Sequence, residues 1–197
     1  MKRIFALFLA ALLCTVSFYA LAESAIEEAD TALFTYEGVF TLNCPIHWEF
    51  IPSEPEDIRA YYVPIGILTD PSPTGLVLGM YMMFFEHLKD FNLFEADEEA
   101  LQKYIADTLA DYEPINGIFR ETVYAMEDTI PFVIFDTADE YGPCLRAETM
   151  FSGWGIFLDL YAYTDESYSA CREITEEEYA QFIQILESFL PALPETN

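Results

Sequence analysis

The run Leu76–Phe85, "LVLGMYMMFF", is apolar on both alternating sets of side chains, as a strand buried on its two faces must be. It is too short to cross a bilayer as a helix. The stretch therefore predicts an interior strand of a sheet with layers packed above and below. "TDPSPTG", Thr69–Gly75, precedes it and is loaded with turn residues, so the strand returns from a hairpin whose first arm is Arg59–Leu68.

Working outward, Gly38–Cys44 ("GVFTLNC") alternates Phe40, Leu42 and Cys44 with Val39, Thr41 and Asn43, which is the period of a strand. Pro45 breaks it, and Trp48–Ile51 resumes an extended run. C-terminal to the central strand, Leu101, Tyr104, Ile105, Leu109 and Tyr112 recur at three- and four-residue spacing, predicting a helix over Asp97–Tyr112 with Asp97 as its N-cap. Strands are expected at Ile118–Met126, Ile130–Asp136, Leu145–Phe151 and Ile156–Tyr163. The last helix opens on Thr175 and Glu178, a T-x-x-E capping box with Ile174 and Tyr179 as the staple. It buries Tyr179, Phe182, Ile183, Leu186, Phe189 and Leu190, and Pro191 stops it. The leader Glu23–Glu37 allows a short helix through Ile26, Ala29 and Leu33. These elements predict an α+β fold, an α/β/α sandwich. Its central, mainly antiparallel sheet has about 6–8 strands, with two amphipathic helices.

The N-terminus reads "MKRIFALFLAALLCTVSFYALAESA". Lys2 and Arg3, an apolar run and Ala20-Leu21-Ala22 have the form of a signal peptide over residues 1–22, with a retained membrane anchor as the alternative. Leu13 before Cys14 does not suit a lipoprotein signal. The expected organisation is thus a signal at 1–22, a leader at 23–37, one domain at 38–191 and a tail at 192–197. Localisation would be secreted or extracytoplasmic, without membrane insertion after cleavage. The formal charge of −27 becomes −29 once Lys2 and Arg3 are removed, a field that repels nucleic acid and anionic lipid.

"YEGVFTLNCPIHWEF", with a proline and then a tryptophan starting the second strand, resembles the opening of the PsbP-like superfamily. "YAQFIQILESFLP" is similar to that group's closing helix. The glycine usual before the tryptophan is His47 here. What the resemblance implies is a non-enzymatic binding or assembly scaffold with protein partners, and no catalytic residues to carry over.

Reactive groups are sparse. The chain has two histidines, His47 and His87, and lacks G-x-S-x-G, H-E-x-x-H and Gly-rich phosphate motifs. Cys44 with a histidine is the one thiol dyad to consider. Its place on the alternating strand beside Phe40 and Leu42 assigns it to the core. Asp136–Gly142 departs from the EF-hand template at its third, sixth and twelfth positions, and a solvated hairpin tip is expected there. Glu176–Glu178 are explained by the helix start. Trp154 with Tyr161, Tyr163 and Tyr168 offers an aromatic ligand surface, but alternation puts Tyr161 and Tyr163 on one face of a strand that helices should cover, so core packing is expected for those two. Export permits a disulfide, with Cys144 and Cys171 as the candidate pair; three buried thiols including Cys44 are the other reading. No catalytic residue, metal site or cofactor is expected. The function read from these features is an exported non-enzymatic binding or assembly module of the bacterial cell envelope. The alternatives are an envelope hydrolase with an acid or Cys44-based site, and a weak divalent-cation-binding protein.

Overall fold

A computed structural model describes residues 31–36, 39–54, 61–72, 75–112, 122–124, 131–139, 141–165 and 167–191. The chain divides into two units, residues 1–32 and 33–197. The first contributes only Thr31 and Ala32 to the described residues. The expected signal peptide, most of the leader and the C-terminal tail lie outside them.

The order is β1 (Thr31–Tyr36), β2 (Phe40–Pro45), β3 (Glu49–Pro52), β4 (Tyr62–Thr69), β5 (Leu76–Phe84), α1 (Glu98–Tyr112), β6 (Thr122–Tyr124), β7 (Phe132–Asp139), β8 (Gly142–Phe151), β9 (Trp154–Tyr163), β10 (Cys171–Arg172), α2 (Glu176–Glu187) and β11 (Leu190–Pro191). The main sheet runs β3-β4-β5-β9-β8-β7-β6, with β10 added on β9, and β1-β2-β11 form a three-stranded sheet. Every registered pairing of the main sheet is antiparallel. As its composition predicts, β5 is interior, held by β4 on one side and β9 on the other. The β8–β9 hairpin closes through Ser152 (φ 48°) and Gly153 (φ 80°), the left-handed pair that a two-residue turn matched to strand twist requires. A Cβ at Gly153 would also meet the Phe84 ring at 2.8 Å.

Directly opposed residues share a face of the sheet. One face presents Leu78, Leu145, Leu158, Leu160 and Ile134 to Phe182, Ile185 and Leu186 of α2 and to Phe40 and Leu42 of β2, a single cluster that includes Phe189 and Trp48. Each fully buried large side chain here contributes roughly 1.5–3 kcal/mol of transfer free energy. The capping box of α2 forms as its sequence predicts: Thr175 accepts from Glu178 N, and Glu178 accepts from Thr175 N at 2.8 Å. Asp97 Oδ1 accepts from Ala100 N at 2.9 Å and so caps α1.

On the other face, α1 packs Tyr104 and Ile105 over Val133 and Phe135 of β7 and Met150 of β8. Its cover is partial. The same face of β3, β4, β5 and the distal part of β9 lines a groove.

Two expectations are corrected. The end of the leader is a strand, β1, with Phe34 and Tyr36 packed against the core and Leu33 66% exposed, a period of two where the helical reading used period 3.6. Leu190 leaves the α2 stripe for β11 and is 53% exposed, while Ile185 takes a buried place instead.

Candidate functional site

Register places a short column of unusual residues on the α1 face. Along β8 it carries Cys144, Arg146, Glu148 and Met150, opposite Tyr161, Asp159, Phe157 and Gly155 of β9. Arg146 and Asp159 therefore face each other, and Arg146 Nε donates to Asp159 Oδ1 at 2.7 Å. The guanidinium lies 5.9 Å from the Tyr81 ring centre and 6.0 Å from that of Phe157. Those two rings are stacked on each other, 4.8 Å apart and 4° from parallel. A cation held against stacked rings and a bidentate carboxylate is a rigid spacer. Cavities open on either side of it.

Towards α1, a cavity of about 390 Å³ has Glu148 in its wall among Phe85, Leu88, Tyr104, Met150 and Phe157. Glu148 is only 3% exposed. Its Oε1 accepts from the Tyr104 hydroxyl at 2.8 Å and from Thr108 Oγ1 at 3.0 Å. Burial pushes the Glu148 carboxyl above its ordinary range. The bonds from Tyr104 and Thr108 and the charge of Arg146 pull it down, and Asp159 pushes it up. His87 and the Lys103–Asp107 ion pair stand at the rim.

Away from α1, a groove of about 270 Å³ is lined by Ile51, Ile67 and Val77 with Tyr161, Tyr163 and Tyr168. Tyr161 and Tyr163 stack at 5.8 Å, and Tyr168 meets Tyr163 edge-on at 5.0 Å. Tyr168 stands in the left-handed region at φ 52° and is 53% exposed. Its loop is held by Asp165, which accepts from Ser167 N at 2.8 Å and from Tyr168 N at 3.4 Å. A non-glycine residue in that conformation, fixed by an Asx turn, presents its ring at a set angle. Tyr161 and Tyr163 are thus half-buried at a groove, where core packing was expected of them. Trp154 is separate, packed on Phe84 at the far end of β9.

The remaining candidates are dispersed. Cys44 is 5% exposed within the α2-side core, and burial pushes its thiol up, the opposite of what a nucleophile needs. His47 sits in the turn closed by Trp48 N donating to Pro45 O at 2.9 Å, and its Nε2 lies 3.9 Å from Asp70 Oδ1 at the surface. Asp136–Asp139 belongs to strand β7, which leaves a shorter hairpin tip than the sequence predicts. Among the described residues, no group of three or more His, Cys, Asp and Glu side chains is placed to hold a metal ion. Cys144 and Cys171 face β9 opposite Tyr161 and Tyr163, two residues apart on that strand. Among the described residues, no helix is long and apolar enough to cross a membrane.

Glu148 and Arg146 had no motif to announce them. The signal available was a charged residue at alternate positions of an otherwise apolar strand, "PCLRAETMF".

No family model matches the chain, and no curated protein does. Among solved structures, the chain is similar to the solution structure of cyanobacterial PsbP (CyanoP) from Synechocystis sp. PCC 6803, with 12% identity and a TM-score of 0.44, over 84% of this chain and 95% of that one. The likeness is one of fold. The α+β class itself stands on the antiparallel main sheet, the small sheet and the two helices.

Proposed function

We propose that this chain is an exported, non-enzymatic binding or assembly module of the bacterial cell envelope that holds a protein partner through the tyrosine groove. The observation that carries this reading is the set of half-buried and exposed rings of Tyr161, Tyr163 and Tyr168 beside the exposed Ile51 on the open part of the sheet face. Tyrosine offers a large contact area with a polar tip and few rotamers to freeze, which suits a protein interface. The burial of Cys44 in the core counts against a thiol enzyme.

Site-specific photo-cross-linking tests it. A photoreactive residue at position 168 in the exporting host is expected to give one discrete adduct, and one at Glu187 on α2 none. The adduct should disappear in Tyr161→Ala/Tyr163→Ala. Equal labelling from both positions would remove the reading. N-terminal sequencing of the exported protein should begin at Glu23. A peptide map made without reductant should show Cys144 linked to Cys171 if the bridge forms during export; unlinked peptides leave all three cysteines as thiols.

A further inference from the structure

The Glu148 cavity is independent of the tyrosine groove and has the makings of a small-ligand site. Both hydrogen bonds to this carboxylate fall on Oε1. Among the described residues Oε2 receives none, and it is not among the polar atoms sealed from the surface. Glu148 lines the cavity, so the oxygen left to face it is Oε2. An oxygen that faces the cavity is open to a donor from outside the protein, and a ligand that donates to it takes the place of water there. The other walls, Phe85, Leu88, Met150 and Phe157, are apolar, and about 390 Å³ is in the range of small-molecule pockets.

The charges around the cavity decide the sign of the ligand. Lys103 at the rim is neutralised by Asp107 four residues on. On the β8–β9 side, Arg146 is held by Asp159. Tyr104 already donates to Oε1, and His87, on the 3-10 turn Glu86–Leu88, lines the rim. This leaves Glu148 as the unmatched acceptor, within a chain of formal charge −27 that concentrates cations at its surface.

We propose that this cavity binds a primary amine with a small apolar or aromatic body, its ammonium donating to Glu148 Oε2 and its body against Phe85, Met150 and Phe157. Where the empty site holds Glu148 as the neutral acid, the proton on that carboxyl leaves to buffer as the ammonium enters. The charge in the site is then a matched pair.

The test is titration of the exported chain, purified from its host, with 2-phenylethylamine, 2-phenylethanol and 3-phenylpropionate. It is followed by ¹⁵N chemical shifts and by calorimetry in two buffers of different ionisation enthalpy. The amine should bind at least tenfold more tightly than the alcohol and displace shifts of Tyr104, Thr108, Glu148 and Phe157. Any protons released should be lost in Glu148→Gln, and the carboxylate probe should not bind. Glu148→Gln keeps the shape and the acceptor for Tyr104 and Thr108; it should lose the amine's advantage and keep the alcohol's affinity. Equal affinity of amine and alcohol for the unaltered chain overturns the proposal without reference to any variant. So do shifts confined to Tyr161–Tyr168, or no saturable binding of the amine.

Discussion

Arg146 on β8 lies directly opposite Asp159 on β9, and its guanidinium donates from both Nε and a terminal nitrogen to the two carboxylate oxygens. The side chains are 15% and 4% exposed, so the pair lies largely out of water. Breaking such a pair strands a charge, which costs about 3–5 kcal/mol, whereas replacing both partners by apolar residues can be neutral or better. Asp159→Asn and Arg146→Met are each expected to destabilise by that order, and Arg146→Met/Asp159→Leu to regain most of it. Arg146→Lys should behave nearly as badly as Arg146→Met, since an ammonium reproduces neither the fork nor the stack on Tyr81 and Phe157. Urea unfolding of the parent, Arg146→Met, Asp159→Leu and their combination closes the cycle; a coupling below about 0.5 kcal/mol contradicts the argument.

Glu148 sets a pH dependence of the opposite kind to a surface carboxylate. Its folded pKa is raised above the ordinary 4.5, chiefly by burial. As pH rises past 4.5 the unfolded chain gives up this proton while the folded chain keeps it, so stability falls through that window and levels off above the raised value. The slope is at most about 1.4 kcal/mol per pH unit for one group. Glu148→Gln should flatten this part of the curve and be the more stable protein at high pH. Unfolding free energies between pH 4 and 8 check it, and parallel curves for the two proteins would defeat it.

Thr149, next along β8, has the reverse problem on the other face. It is fully buried, and its Oγ1 has no hydrogen-bond partner among the described residues. An unsatisfied buried hydroxyl costs about 1–3 kcal/mol, and valine has nearly the same shape. Thr149→Val is therefore expected to stabilise by about 1 kcal/mol, raising the urea midpoint without changing the slope of the transition. A loss of stability would show that the hydroxyl is satisfied.

What the sequence made legible follows the range of the interactions. Thr175 and Glu178 are three residues apart and name their own helix start. Leu76–Phe85 declares an interior strand because each face must be covered by something. Local pattern cannot say how far the cover extends: Tyr161 and Tyr163 alternate as core residues do, and only the limited reach of α1 leaves them open. Glu148 depends on Tyr104, 44 residues away, and on a register that puts Arg146 opposite Asp159. Those contacts have no signature in either segment. β10 and β11, two residues each, are defined by the neighbour they pair with and have no period of their own.

Arg172 joins the start of α2 to β10, and this link carries the clearest acid sensitivity. Its two terminal nitrogens donate to Glu178 at 2.9 and 2.6 Å, while Glu178 also closes the capping box with Thr175. The Arg172 guanidinium, with help from Thr175, holds the Glu178 carboxyl well below its usual 4.5, at about 2. A depressed folded pKa contributes stability that is complete above 4.5 and is lost as pH falls from there through about 2. Arg172 is partly exposed, so solvent screening holds the contribution to about 1 kcal/mol. Glu178→Gln keeps a residue able to close the box but loses the charge, and it should unfold more readily at pH 7 by about that amount. By pH 2 the two proteins should converge. Arg172→Ala should give the same loss and the same convergence. If either variant tracks the parent in parallel from pH 7 to 2, the ion pair is not what stabilises this helix start.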